Sequence, residues 1–517
     1  MSKKMIQMAL LTLSCAPLIS YSSVITANQD GALGLYQAGD FQVSTGVSAN
    51  TQSSIPQAIW YVQQELIATY NKPLNLGASF SNTEHAQQDI KTWLNTATIQ
   101  DFNAPPPFIW LGSSQVIPQA KISEDGQSFT LTTGENLAFN ITPKISTNLS
   151  YWNADTLKFF SQRDVKLRGE LYESTWTART VWPLDYSLSN TFVYPLNANE
   201  NLKSLVQFEH GGAKSNFESR LLWERTSGVA QKTTGKALLG VMLNGAQGDD
   251  DESLGGHFGI VTGRMEGDGN MSRWLVNNYY NLASNSEKGI IAAVTPMDKY
   301  LMDLNNGQSY YRPSYMLVAV LNTDLLPNQV QAASNRVFNH FYKHDFEYDL
   351  SQDNCAGISM DTLHSLGWDI PKRGVTSRFR AIAAYFYKAA TSLSLTEARA
   401  VYDYLNTETT RLLPAVAFDA IGNDLLKLAH QLPNNDSPFA KQLSSEIESI
   451  YFVRIPQIPS SRIFGAAPVY SFDEYLKTTP ANHADWKVIP TTSRIFPENL
   501  RNGLALQANK TALLPCL

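Results

Sequence analysis

The sequence predicts an α+β protein of several units, with a small antiparallel sheet and a helix packed beside it at the centre. Three observations carry this. Residues 257–263 alternate like a strand and are followed by a hairpin turn and a return strand. Residues 354–366 read as a capped helix closed by Gly367. From about residue 373 to 450 the apolar spacing is helical throughout. At roughly 150 residues per domain, a chain of 517 residues makes about three domains.

Composition narrows the function classes. Hydrophobic residues make up 43% and charged residues 17%, enough for a large core and too apolar for global disorder. Forty basic against 46 acidic residues give a net charge of −6. With no basic excess to neutralise phosphates, a nucleic-acid partner is not expected. Three cysteines are too few for a disulfide scaffold.

In chain order, Lys3 and Lys4 precede an apolar run from Met8 to Ser20, and Ile25-Thr26-Ala27 resembles a cleavage site. Residues 1–27 therefore read as a secretory signal peptide, and the protein as exported, periplasmic or associated with the outer membrane. Cys15 raises lipid anchoring, although Thr12 stands where a lipobox prefers Leu. Residues 28–200 form an accessory α+β region. Here Ile59, Val62, Leu66 and Tyr70 have helical spacing, Asp125-Gly126 is a turn, and Ser128–Thr132 alternates as a strand. Residues 201–372 form the central unit. Residues 373–450 are a helical extension in which Ser394 and Glu397 make a capping box. Residues 451–517 are Pro-rich and read as an irregular tail.

Several chemistries lack their motif. There is no His-Glu-x-x-His, no Cys-x-x-Cys and no Gly-x-Ser-x-Gly. The acidic run Asp249–Glu252 lacks calcium-loop spacing and reads as a solvated loop. No metal or organic cofactor is expected.

What remains is a cysteine and a histidine. Asp353 or Asn354 caps the helix that begins at Cys355, where free N–H groups and the helix dipole favour a thiolate and predict a lowered thiol pKa. His257 shares a strand face with Gly259, whose missing side chain leaves room for a substrate or for the cysteine helix. Across the hairpin at 266–270, either Asn277 or Asn278 lies on the His257 face, because one residue of register exchanges them. A thiol, an imidazole and an amide that orients it make a nucleophile–base–orienter set.

These segments carry a resemblance. His257-Phe258-Gly259-Ile260 and Tyr348-x-Leu350-x-x-x-Asn354-Cys355 resemble the circularly permuted papain-like superfamily, which includes the lecithin:retinol acyltransferase type and relatives of NlpC-type cell-wall enzymes. Gly256-His257, Asn278-Tyr279 and Asp353-Asn354-Cys355 are most similar to a bacterial envelope domain family of unknown function implicated in lipoprotein N-acylation. The likeness spans about 170 residues and rests on two short motifs. It implies a permuted papain-like thiol domain with Cys355, His257 and Asn278 as catalytic residues. It also implies acyl transfer through a Cys thioester to a lipoprotein or other amine, with acyl lipid or lipoprotein as partner and peripheral membrane contact. A cysteine peptidase or amidase acting on peptidoglycan peptides and a non-catalytic envelope scaffold are the alternatives. Cys355 could instead be a buried hydrophobe or pair with Cys516. His210 sits in an attractive Gly-rich loop, whereas His340, His344 and His364 read as surface residues of helices.

Overall fold

The structure is a computed structural model. It describes residues 23–46, 64–72 and 86–487, with breaks at 190, 249–253, 283–289, 351–352, 376–377, 433–436, 461–462 and 481, besides residues 60, 62 and 497. The proposed leader up to residue 22, Cys15, the acidic run at 249–252 and Cys516 lie outside the described residues.

The fold is mixed α+β. Its centre is a sheet of eight strands, larger than the small sheet expected. In chain order they are β1 Phe192–Val193, β2 Glu218–Glu224, β3 Ala237–Asn244, β4 His257–Arg264, β5 Leu275–Asn278, β6 Ala293–Pro296, β7 Ser314–Leu321 and β8 Ile447–Ile455. Their spatial order is β1-β2-β8-β7-β3-β4-β5-β6, antiparallel except for β1–β2. β3, β7 and β8 are buried along almost their whole length. A strand covered on both faces has no need to alternate, which is why these read as continuous apolar runs.

The two faces have different cover. Leu239, Val241, Leu243, Phe258 and Ile260 share a core with three helices: α1 Leu325–Tyr342, α2 Cys355–Ser365 and, from the C-terminal region, a helix at Pro414–Ala429. Leu238, Met242, Val261, Val276 and Val318 instead share a core with Leu167, Trp176, Val181 and Trp182 of the N-terminal region. There the strands Gln115–Ile122, Ser128–Leu131, Asn136–Ile141, Asp164–Tyr172 and Thr175–Pro183 pair in a closed ring. Ile25–Thr26 adds to the ring by pairing with Val116 and Gln115, and Ala27 is fully buried. The last residues of the proposed leader are thus part of the fold, and a processed end upstream of Ile25 keeps these contacts.

Three expectations need correction. Ile447–Ile455, where an irregular tail was expected to begin, is a central strand between β2 and β7. Its Pro-rich surroundings hid an apolar run that only distant partners make into a strand. Leu66–Tyr70 is not helical but pairs with Phe41–Thr45 and Phe108–Trp110; Leu-Ile-Ala-Thr-Tyr suits a strand once two neighbours exist. The 373–450 extension is helical as expected, but its Pro414–Ala429 helix is a buried wall of the central sheet. In that extension the Ser394 side chain accepts from the Glu397 N–H, one half of the expected capping box, while the Glu397 carboxylate pairs with Lys388.

Buried ion pairs tie the N-terminal ring to the segment after β6. Lys166 Nζ lies 2.6 Å from Asp30 and 3.1 Å from Asp298, and Arg168 Nε donates to Asp298 at 2.8 Å. Close by, Asp303 pairs with Lys299 at 2.5 Å and with Arg179 at 3.0 Å, while Lys299 Nζ sits 3.4 Å from the centre of the Trp110 ring. Burial pushes Lys299 down to about 8. The net effect on Asp30 and Asp303 is the reverse. Burial alone would raise them, but the surrounding Lys and Arg hold both carboxyls below the ordinary range.

Candidate functional site

The histidine comes first in the chain. Gly256 has φ +77°, and a Cβ there would run into the Asn244 carbonyl. The glycine therefore lets the chain turn tightly into β4 beside β3. Register then sets His257 opposite Asn244, and Asn244 opposite Ser314 of β7. This row closes one end of the sheet. Asn244 Nδ2 donates to Ser314 Oγ at 2.8 Å, and the Tyr300 hydroxyl donates to Asn244 Oδ1 at 2.5 Å.

The structure resolves the choice of asparagine. Ile260 pairs with Asn277, so Asn278 falls one residue on and shares the His257 face. Asn278 Oδ1 is 2.5 Å from His257 Nε2, and Asn278 Nδ2 donates to the Ile291 carbonyl at 2.9 Å. With the amide N–H₂ engaged by that carbonyl, the oxygen faces the ring. This network assigns the proton to Nε2 and leaves Nδ1 as the basic nitrogen. Asn277 points to the other face and exchanges amide hydrogen bonds with Gln331 of α1, at 2.9 and 3.1 Å.

Cys355 begins α2 as predicted, and Asn354 is the cap. Its Oδ1 accepts from the N–H groups of Ala356 and Gly357, both at 2.9 Å, and its Nδ2 donates to the carbonyls of Leu350 and Leu412. The thiol lies near the backbone N–H of Phe258, the Tyr348 hydroxyl, the Ala356 N–H and the Arg312 guanidinium, all of which favour a thiolate. Burial opposes them and wins, so the thiol pKa is raised. This corrects the expected lowering: a helix start lowers a thiol's pKa where solvent or a strong charge helps, and Cys355 is only 3% exposed. His257 is likewise 3% exposed, and burial, with Arg312 adding to it, pushes the ring down to about 3. The resting pair is a neutral thiol and a neutral imidazole.

The structure brings His257, Asn278 and Cys355 to one end of the sheet without bonding ring to sulfur. Among the described residues, Asn278 is the hydrogen-bond partner of the ring. Strand alternation turns His257 to the face of Val261, whereas α2 packs on the face of Phe258. The sulfur meets the chain at Phe258, beyond the last paired residues of β4 and β5. Aromatic rings bridge the remainder: His257 to Tyr280 and Tyr280 to Tyr348, each with centroids 6.0 Å apart. Gly259 makes room neither for a substrate nor for α2, as was expected of it. A Cβ there would press 3.0 Å from Val276 and 3.2 Å from the Asn277 carbonyl, so the glycine accommodates β5.

Sequence reasoning missed Arg312. It is 3% exposed, donates from Nε and Nη2 to Gln308 Oε1 at 2.9 and 2.7 Å, and makes no ion pair among the described residues. Two residues before Ser314, it stands at the same sheet end as His257. An Arg in Tyr-Arg-Pro-Ser carries no motif, so nothing local marked it. The other histidines divide. His210 is exposed in a left-handed turn at φ +58°. His364 lies on α2, near the Ile370 carbonyl. His344 follows the end of α1 with φ +58° and is not helical. His340 is not a surface residue: it is fully buried, 2.7 Å from Asp345 and 3.5 Å from Asp89, whose carboxylates outweigh burial and raise its pKa.

Comparison with protein families, curated proteins and solved structures finds no match to this chain. Among the described residues there is no group of three or more metal-ligating side chains, and no helix long and apolar enough to cross a membrane.

Proposed function

We propose that the chain is a cysteine-nucleophile acyltransferase of the exported envelope, with a permuted papain-like arrangement of Cys355, His257 and Asn278. One observation carries this reading: the Asn278 amide, itself anchored by Ile291, fixes a buried neutral imidazole at the same end of the sheet as the start of an Asn-capped cysteine helix.

The mechanism follows from the protonation states. The Cys355 sulfur attacks an ester or amide carbonyl carbon while its proton passes to His257 Nδ1. The resulting anion is stabilised by the positive field of Arg312 and by the backbone N–H of Cys355 at the start of α2. Collapse of the tetrahedral adduct expels the alcohol or amine, which takes the proton back from His257. The thioester left on Cys355 is then attacked by an amine, or by water, with His257 again accepting the proton. Because thiol and ring are both buried, the site must open before substrate enters. An acyl lipid as donor and a lipoprotein amine as acceptor fit the family likeness. Peptidoglycan peptides are the hydrolytic alternative.

The same burial favours a second reading, a non-catalytic scaffold that keeps the fold. Intact-mass analysis after incubation with bacterial envelope extract separates the two. An acyl or peptidyl adduct on Cys355, absent from Cys355→Ala, is the expected result; no adduct with lipid or peptide donors supports the scaffold.

A further inference from the structure

The first two helices after Gly374 lie outside the thiol site. They form a hairpin, α3 Arg378–Ser392 and α4 Leu395–Asn406, in which Ala381 and Ala398 are the only fully buried residues. Tyr385 packs edge-on against Tyr402 across the pair, 6.1 Å between centroids. The opposite side of α3 carries Phe379, Ile382, Phe386 and Tyr387, at i, i+3, i+7 and i+8, which is one stripe of a helix. Their exposures are 82, 46, 67 and 73%. At the tip, Leu393 and Leu395 are 90 and 70% exposed. Six of the fourteen exposed large hydrophobic side chains of the described residues thus fall within 379–395. Leu393 also holds a left-handed backbone, φ +53°, where glycine would be relaxed. An apolar side chain is displayed there in spite of strain.

The sequence that carries the stripe is basic, though acids of α4 and of the later chain stand near it. From Pro371 to Thr396 the chain has five basic residues, Lys372, Arg373, Arg378, Arg380 and Lys388, and no acidic one. Four of these reach acids elsewhere, such as Arg380 to Asp473 and Lys388 to Glu397. Arg378, at the start of the stripe, makes no ion pair among the described residues.

We propose that the α3–α4 hairpin docks the protein on an anionic lipid bilayer. Phe379, Ile382, Phe386, Tyr387 and the Leu393–Leu395 tip enter the interface, and Arg378 meets the headgroups. A protruding stripe of aromatic and aliphatic side chains beside basic residues is the chemistry of an interfacial helix. It offers no groove to receive a peptide. The proposal holds whether or not Cys355 is a nucleophile.

The test uses the full chain with vesicles of equimolar phosphatidylcholine and phosphatidylglycerol. Co-sedimentation is expected, with amide-exchange protection appearing across 378–396 when vesicles are added. The triple variant Phe379→Ser, Phe386→Ser, Tyr387→Ser should melt as the parent does, because these side chains are exposed, yet bind about tenfold more weakly. Arg378→Glu should weaken binding several-fold at low salt and less at high salt. The proposal is overturned if exchange in 378–396 is unchanged by vesicles, or if the triple variant keeps the protection. A lipid-free dimer that the triple variant dissolves would overturn it in favour of a second copy of the chain.

Discussion

The ionic cluster behind β6 and the thiol cluster at the end of β4 are both buried and both polar, yet they are built on opposite terms. In the first, Asp30 and Asp298 share Lys166 and Arg168, and nearly every charge faces its opposite between the N-terminal ring and the central sheet. In the second, thiol and imidazole are neutral, and the one cation, Arg312, rests on an amide rather than a carboxylate. Paired buried charges hold two layers together and cannot lose a member cheaply. The neutral cluster has no charge partner to lose, and the proposed reading puts its worth in chemistry.

The sharpest break in this comparison is activity. Cys355→Ala and His257→Ala should each lower acyl transfer or hydrolysis about a thousandfold or more, and the double variant should be no worse than either single. Denaturant titration should find all three folded, with His257→Ala losing about 1–3 kcal/mol through the unpaired Asn278 amide. Activity surviving in folded Cys355→Ala would remove the thiol from the mechanism.

At the other cluster the effect should fall on stability. Asp298→Ala or Arg168→Ala leaves a buried charge without its partner, at a cost of about 3–5 kcal/mol. Denaturant titration measures it. A loss no larger than that of Cys355→Ala would erase the distinction drawn above.

Acid sharpens the contrast, because the clusters titrate in different windows. His257 is held near 3 in the fold and returns to about 6.5 when unfolded. Its contribution is complete above pH 6.5 and is lost as the pH falls toward 3, by up to roughly 5 kcal/mol. Asp30 and Asp303 sit below the ordinary carboxylate range, so their contribution is lost only below about pH 3.9. His257→Gln should flatten the stability curve between pH 6.5 and 4 and leave the steeper loss below it. An unchanged slope in that variant would mean the ring is not the buried neutral base described.

The smallest effects separate the two asparagines. Asn278→Ala should lower activity about tenfold to a hundredfold and move its pH profile, since the amide orients the ring. Asn277→Ala should cost about 1–3 kcal/mol through the unpaired Gln331 amide, with the pH profile unmoved. The reverse pattern would place the register one residue off.

Legibility tracked distance along the chain. The α2 cap, the 266–270 hairpin and the Ser394 cap could be read because each is completed within a few residues. The choice between Asn277 and Asn278 could not, because a one-residue slip exchanges the faces and only the Ile260–Asn277 pairing settles it. The sign of the thiol shift was missed for a related reason. A helix start is visible in Asn354-Cys355, but the burial that raises the thiol comes from a core shared with β3 and β4, more than 90 residues earlier. His340 was misjudged likewise: Asp89, its more distant partner, lies 251 residues before it.

The position of β8 bears on how the protein is made. Its strand neighbours end at residues 224 and 321, but β8 itself begins only at 447. Until that late segment has left the ribosome, or has crossed a membrane, β2 and β7 present open edges to one another with nothing between them. Contacts so far apart in sequence close slowly, and unpaired apolar edges attract aggregation meanwhile. A fragment cut at residue 372 keeps every residue of the thiol cluster and should still fail to fold. A chaperone that escorts this chain must hold it until Ile455 has emerged.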